Sequence, residues 1–196
     1  MITQSETKYN RLMEKAEELF IELGYKSVSM DQIAEAAGIS KMTIYKYFSS
    51  KEELFLNILQ SIGDRSFIYI EDQMKKIDGT IEKIDFLLHF NIEYSKQFSL
   101  TFYKDIMDNP YIIDRLMKEK KRMSKIIFED IIRNGVERGE IREVDEAFMA
   151  NMLITLIDSI SKNFFEKITC RKELEDFTEK FYDFLKYGLL GGKGAK

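Results

Sequence analysis

The sequence predicts an all-α fold, and three observations carry that prediction. One proline and ten glycines in 196 residues leave few interruptions. Abundant Glu, Lys, Leu, Ile and Met favour helix almost throughout. Apolar residues recur at three- and four-residue spacing between capping signals, which marks amphipathic helices. At 44% hydrophobic and 33% charged residues, the composition is that of a soluble globular chain of one or two domains.

A first helix is expected over about residues 6–23, with Leu12, Ala16, Leu19, Phe20 and Leu23 on one stripe and Gly24 at its end. The most informative stretch follows, SMDQIAEAAGISKMTIYKYFSSK over residues 29–51. Ser29 and Gln32 have the spacing of a capping box, with Val28 and Ile33 as its hydrophobic staple. Gly38 can take the left-handed conformation that turns the chain sharply into a second short helix. Ser40 caps that helix, with Ile39 and Ile44 as staple. Ile44 and Phe48, four apart, face inward with Ile33, Ala34 and Ala37, leaving Lys41, Met42, Thr43, Tyr45, Lys46 and Tyr47 on the other sides.

This pattern reads as a helix-turn-helix. Lysines and hydroxyls can donate to phosphates, Met42 and Thr43 can touch a thymine methyl, and a lysine can reach the acceptors of guanine. Ile39 to Lys51 holds Lys41, Lys46 and Lys51 and no acid, in a chain of formal net charge -4, so positive charge is concentrated locally. Tyr45 and Tyr47 have a second reading, in which the rings pack on the first helix and leave their hydroxyls wet.

Ser29, Ile33-Ala34, Ala37-Gly38-Ile39-Ser40, Tyr45, Phe48, Lys51 and Leu54 match in order and spacing the amino-terminal motif of the TetR family of bacterial transcriptional regulators, which the chain resembles. The resemblance implies that Ser40, Lys41, Thr43, Tyr45, Lys46 and Tyr47 touch DNA, with Ser29 and Lys51 on phosphates at the ends of neighbouring helices. Two positions depart from common family usage. Tyr47 stands where His is frequent, and Met42 is bulkier than the small residues usual at its place, so no operator sequence carries over.

Ser50 and Glu53 form a further capping box, opening a helix with Leu54, Phe55, Ile58, Leu59 and Ile62 apolar that runs past Gly63 toward Lys76. Asp78-Gly79-Thr80 is a turn and cap. Helices are expected over 81–97 and 98–107, then from Pro110, capped by Asn109, to about Arg138. Asp145, with Val144 and Met149 as staple, opens a helix over about 146–167, and a last one covers about 172–187 before a glycine- and lysine-rich tail, about nine helices in all. No Pro/Gly/Ser linker separates residues 1–50, the expected DNA-binding domain, from residues 51–196, the expected ligand-sensing and dimerisation domain.

The last two helices are apolar on more than one face, through Phe148, Met149, Met152, Leu153, Leu156, Ile157, Ile160 and Phe164, and through Leu174, Phe177, Phe181, Phe184 and Leu185. Such helices need a deep core or a partner. The resemblance implies that they form a four-helix interface in a homodimer, whose two-fold axis would present two recognition helices to a palindromic operator in double-stranded DNA.

Phe86, Phe90, Tyr94, Phe98, Phe102, Tyr103, Met107, Met117, Met123 and Phe128 supply aromatic and thioether surface suited to an adaptable apolar cavity, though taken singly each reads better as ordinary core. Of these, Phe86, Phe90, Tyr94, Phe102, Tyr103, Met107, Met123 and Phe128, with Met152 and the polar His89 and Asp158, make up the candidate pocket. His89, the sole histidine, reads better as a satisfied buried residue. Asp158 and Asn151 interrupt an apolar helix and require partners if buried; a pocket Asp would favour a cationic ligand.

Other classes find little support. One histidine and one cysteine, Cys170, stand apart without a nucleophile-base pattern, phosphate loop or metal spacing, so neither an enzyme nor a cofactor is expected. The single cysteine and the lack of a basic-then-apolar leader point to a reducing cytoplasm. No apolar run reaches the ~20 residues of a membrane span. The expectation is a ligand-responsive dimeric regulator, in family fashion a repressor, released from its operator when a small apolar or amphipathic effector tilts the helix that begins at Ser50. Two alternatives stand beside it: a DNA-binding protein without inducer, and a helical lipid or acyl-chain carrier.

Overall fold

A computed structural model describes residues 4–165 and 170–184, and every regular element among them is helical. In chain order these are α1 (Gln4–Leu23), α2 (Met30–Ala37), α3 (Lys41–Tyr47), α4 (Lys51–Met74), α5 (Thr80–Ser95), α6 (Leu100–Met107), α7 (Pro110–Glu137), α8 (Glu146–Phe165) and α9 (Arg171–Asp183). The all-α expectation is met, with boundaries within a few residues of those anticipated. The expected ends at Lys167 and Tyr187, and the tail after them, lie outside the described residues.

Two compact units form: Met1–Ser66 with Lys96–Lys118, and Phe67–Ser95 with Glu119–Lys196. The first is built around α1, whose Leu12, Ala16 and Phe20 are fully buried with Ile33, Ala37, Ile44, Leu54, Phe55 and Ile58. Leu23, read as part of the buried stripe, is instead 39% exposed, because α1 ends there and Gly24 turns the chain away. An aromatic chain fastens α6 to this core. Phe20 and Tyr25 each lie 4.9 Å from Phe55, and Phe102 stands edge-on to Phe55 at 5.8 Å.

The turn after α1 is held tightly. Gly24 has φ +83°, and a β-carbon there would sit 2.6 Å from Thr101 Cγ2 and 2.7 Å from Asp105 Oδ2, so the position demands glycine both for its backbone and for its space. The Lys26 backbone N–H donates to the buried carboxylate of Asp105 at 2.8 Å, and the Lys26 ammonium meets Asp108 at 2.6 Å. At the start of α7 Asn109 caps the helix through its Oδ1, and its side-chain amide donates to Glu52 at 2.9 Å. One expected cap differs: Ser50 Oγ accepts the Glu53 N–H, but the Glu53 carboxylate reaches back to Ser49 N–H at 2.6 Å instead of closing a box on Ser50.

In the second unit Ile70, Met74, Leu87 and Ile131 form a buried cluster, against which Phe86, Phe90 and Ile127 pack. Tyr69, Phe90 and Tyr94 continue it as a ladder of stacked rings 5.3 Å and 5.0 Å apart. The turn before α5 is tied to the end of α7, where the Thr80 N–H donates to Glu140 at 2.6 Å and Arg138 pairs with Asp78 at 3.0 Å. Asp145 opens α8 as anticipated, its Oδ1 accepting the Phe148 N–H at 2.9 Å.

Candidate nucleic-acid interface

The helix-turn-helix takes its shape from local chemistry. Ser29 Oγ accepts the Gln32 N–H at 3.2 Å while Gln32 Oε1 accepts the Ser29 N–H at 2.8 Å, the reciprocal box that starts α2. Gly38 adopts φ +60° and Ile39 N–H closes on the Ala34 carbonyl at 3.0 Å, ending the helix in a left-handed turn. Ser40 Oγ then accepts the Thr43 N–H at 3.1 Å and starts α3. Ile33, Ala37 and Ile44 are fully buried and Phe48 nearly so, which fixes the roll of α3 and determines what it shows outward.

What it shows is a short basic ridge with an apolar tip. Met42 is 73% exposed and Tyr45 46%, and Lys41 and Lys46 are also exposed. Thr43 is half-buried, its hydroxyl 2.8 Å from that of Ser40. Tyr47 is half-buried as well. Its ring meets Tyr9 edge-on at 5.3 Å and its hydroxyl lies 2.9 Å from Ser5 Oγ, so the packing reading of this tyrosine has a counterpart in the structure.

Lys51 is placed differently from a free phosphate ligand. Its ammonium donates to the carbonyls of Tyr25 and Val28, both at 2.8 Å, and lies 4.3 Å from the centre of the Tyr25 ring. Burial there pushes its pKa down from 10.5, and the nearby Asp105 charge opposes the shift. Lys51 thereby ties the start of α4 to the loop before α2, whatever its remaining donor does.

Two residues of this face escaped the sequence reading. Arg11 donates to the Gly38 carbonyl at 3.2 Å, bracing the turn from α1. Asp31 in the first turn of α2 accepts from the Lys41 ammonium at 2.8 Å, and this hydrogen bond leads the causes that raise the Lys41 pKa. The stretch from Ile39 to Lys51 lacks acids, yet folding returns one to it from ten residues upstream of Lys41. Nothing in helical periodicity signals that approach, because it crosses the turn.

The candidate pocket residues do not gather in one unit. Phe102, Tyr103 and Met107 belong to the first, where Phe102 is 3% exposed and stacks on Phe98 at 5.0 Å as core. Phe86, His89, Phe90, Tyr94, Met123, Phe128 and Met152 belong to the second. His89 corrects the expectation of a buried histidine: it is exposed, its Nδ1–H donating to the Asp85 carbonyl at 2.7 Å, because α5 turns this residue away from Leu87 and the buried cluster. Asn151 and Met152 are also exposed, and the side chain of Asp158 lies outside the described residues. Among the described residues no helix is long and apolar enough to cross a membrane.

An all-helical chain that presents a capped, positively charged second helix from a braced helix-turn-helix belongs to the class of DNA-binding regulators. Residues 12–58 match the sequence model of the bacterial regulatory proteins of the tetR family. The chain is 28% identical to the HTH-type transcriptional activator FasR of Mycolicibacterium smegmatis over 149 residues, which span 71% of this chain and 66% of that protein. It is 23% identical to the fatty acid metabolism regulator protein of Bacillus subtilis, over 77% of this chain and 79% of the relative. The solved transcriptional regulator FadR of Bacillus subtilis, in complex with stearoyl-CoA, shares the fold at TM-score 0.63 and 20% identity, covering 92% of this chain and 98% of that one.

Proposed function

We propose that the protein is a dimeric transcriptional regulator, acting as a repressor, that binds a palindromic operator and is released by an amphipathic effector carrying an acyl chain. The observation that supports DNA reading most strongly is α3 itself: Lys41, Met42, Tyr45 and Lys46 stand exposed on a helix whose inner face is anchored by Ile44. Residues 1–50 serve as the reading head and residues 51–196 as the sensing and dimerising part.

Dimerisation through α8 and α9 draws support from large apolar side chains left open on them, Phe148 at 60% and Met152 at 52% exposure, with Phe184 at 50% just beyond α9. The effector class draws support from the relatives, one a fatty acid metabolism regulator and one solved with stearoyl-CoA. The aromatic ladder of Tyr69, Phe90 and Tyr94 offers the apolar surface such a chain needs. Effector binding acts by favouring a tilt of α4, which changes the spacing of the two recognition helices, and its effect equals the effector's differential affinity for the two states.

The test is binding of the purified protein to duplex from upstream of its own gene, followed by fluorescence anisotropy across a salt series against a random duplex. Selective, salt-steep binding that disappears in Lys41→Ala/Lys46→Ala supports the reading. Stearoyl-CoA is then titrated into the complex; operator affinity that stays constant at saturating acyl-CoA removes the effector from the proposal.

A further inference from the structure

We propose that Asp31 is a specificity-determining residue of the reading head, holding the Lys41 ammonium so as to weaken binding to DNA of arbitrary sequence. This rests on the DNA-reading role proposed above.

The two residues lie ten positions apart on different helices, and the 2.8 Å contact between them exists because the Gly38 turn brings the first turn of α2 against the first residue of α3. Their side chains are 73% and 45% exposed, so the pair lies on the open face and not in the core. An exposed ion pair contributes little to folding. Its consequence is felt instead by any anion that approaches Lys41, because Asp31 stands well inside the Debye length of about 10 Å at 0.1 M salt.

Sequence-independent affinity comes from lysines and arginines that neutralise phosphates and release counterions. A lysine already neutralised by a carboxylate releases little, and the phosphate that takes it must displace Asp31 or tolerate its charge. A base edge imposes less of this cost. The ammonium has three donors, so Lys41 can keep Asp31 on one and offer another to the uncharged acceptors of guanine. The pair thus penalises backbone contact more than base contact, which widens the gap between right and wrong sequences by weakening the wrong ones.

The experiment compares the full-length wild type, Asp31→Asn, Lys41→Ala and the double variant on one random-sequence duplex across a salt series. Asp31→Asn is expected to bind about two- to five-fold tighter at low salt. Its log-affinity against log-salt slope should steepen by about 0.9 per engaged head. In the Lys41→Ala background the same change should move the slope by less than half as much. Asp31→Ser serves as a second variant, with cooperative melting checked for each, so that a folding defect peculiar to one substitution does not decide the result. A wild type that binds while both Asp31 variants keep its affinity and slope overturns the role of Asp31 and leaves DNA reading standing. If neither wild type nor variants bind any duplex at low salt, both fall.

Discussion

Asp105 accepts a backbone hydrogen bond from Lys26 at 2.8 Å across 79 positions of sequence, joining α6 to the turn that leads into the helix-turn-helix. The carboxylate is 4% exposed, and the Lys26 ammonium lies 3.6 Å from its other oxygen. Asp105→Ala leaves the Lys26 N–H unsatisfied in partly buried surroundings, a loss of about 1–3 kcal/mol. The expected reading is a melting temperature lower by roughly 2–4 °C per kcal/mol for a chain of this size. An unchanged melting curve would show that the contact is dispensable.

Three glycines separate backbone need from spatial need. Gly24→Ala places a methyl group 2.6 Å from Thr101 in a left-handed residue, and should cost about 1–3 kcal/mol. Gly139→Ala, with φ +68° and open space, should cost only the conformational part, about 1 kcal/mol. Gly63→Ala, inside α4 with nothing near, should stabilise by about 0.5–1 kcal/mol. Denaturant midpoints rank the three; a Gly24 variant no weaker than the Gly139 variant contradicts the close approach.

Lys46 is exposed on α3, so Lys46→Ala should weaken binding uniformly across sequences and reduce the salt slope by about 1. Tyr47→Phe removes the hydroxyl bound to Ser5 and should leave that slope unchanged. A Tyr47→Phe slope altered as much as that of Lys46→Ala would assign the hydroxyl to a phosphate.

Glu140 is held below its ordinary pKa of 4.5, first by the Thr80 backbone N–H and then by the Thr80 hydroxyl. A carboxylate whose folded pKa lies below the unfolded one adds stability that is full above about pH 4.5 and disappears as pH falls through the folded value. Melting of the wild type should therefore lose its advantage over Glu140→Gln as pH falls below the ordinary value of 4.5. Glu53 and Asp108 are lowered in the same sense, which is why the difference between the two proteins, and not either curve, carries the result. A difference independent of pH would remove the Thr80 bond as its source.

The reading head was legible because its signals are local. Ser29 with Gln32, Gly38 and Ser40 determine backbone within four residues of themselves, and each adopts the expected cap. Ile44 and Phe48 follow from helical spacing and are buried. What escaped depends on neighbours distant in sequence. Lys51 looks like any basic residue at a helix start until Tyr25 and Val28 present their carbonyls to it. His89 lies between apolar neighbours in sequence, but only the helix phase, set by the cluster around Leu87, shows that it faces outward. Glu53 has the spacing of a partner for Ser50 but accepts from Ser49, one residue away, a distinction decided by side-chain geometry.

A side chain at position 24 would collide with Thr101 and Asp105, so Gly24 can be enlarged only where those two give way. In a chimera made by grafting α6 from a relative, bulk added opposite Gly24 would press on this turn, and a protein with a side chain in place of Gly24 should carry smaller residues in place of Thr101 and Asp105.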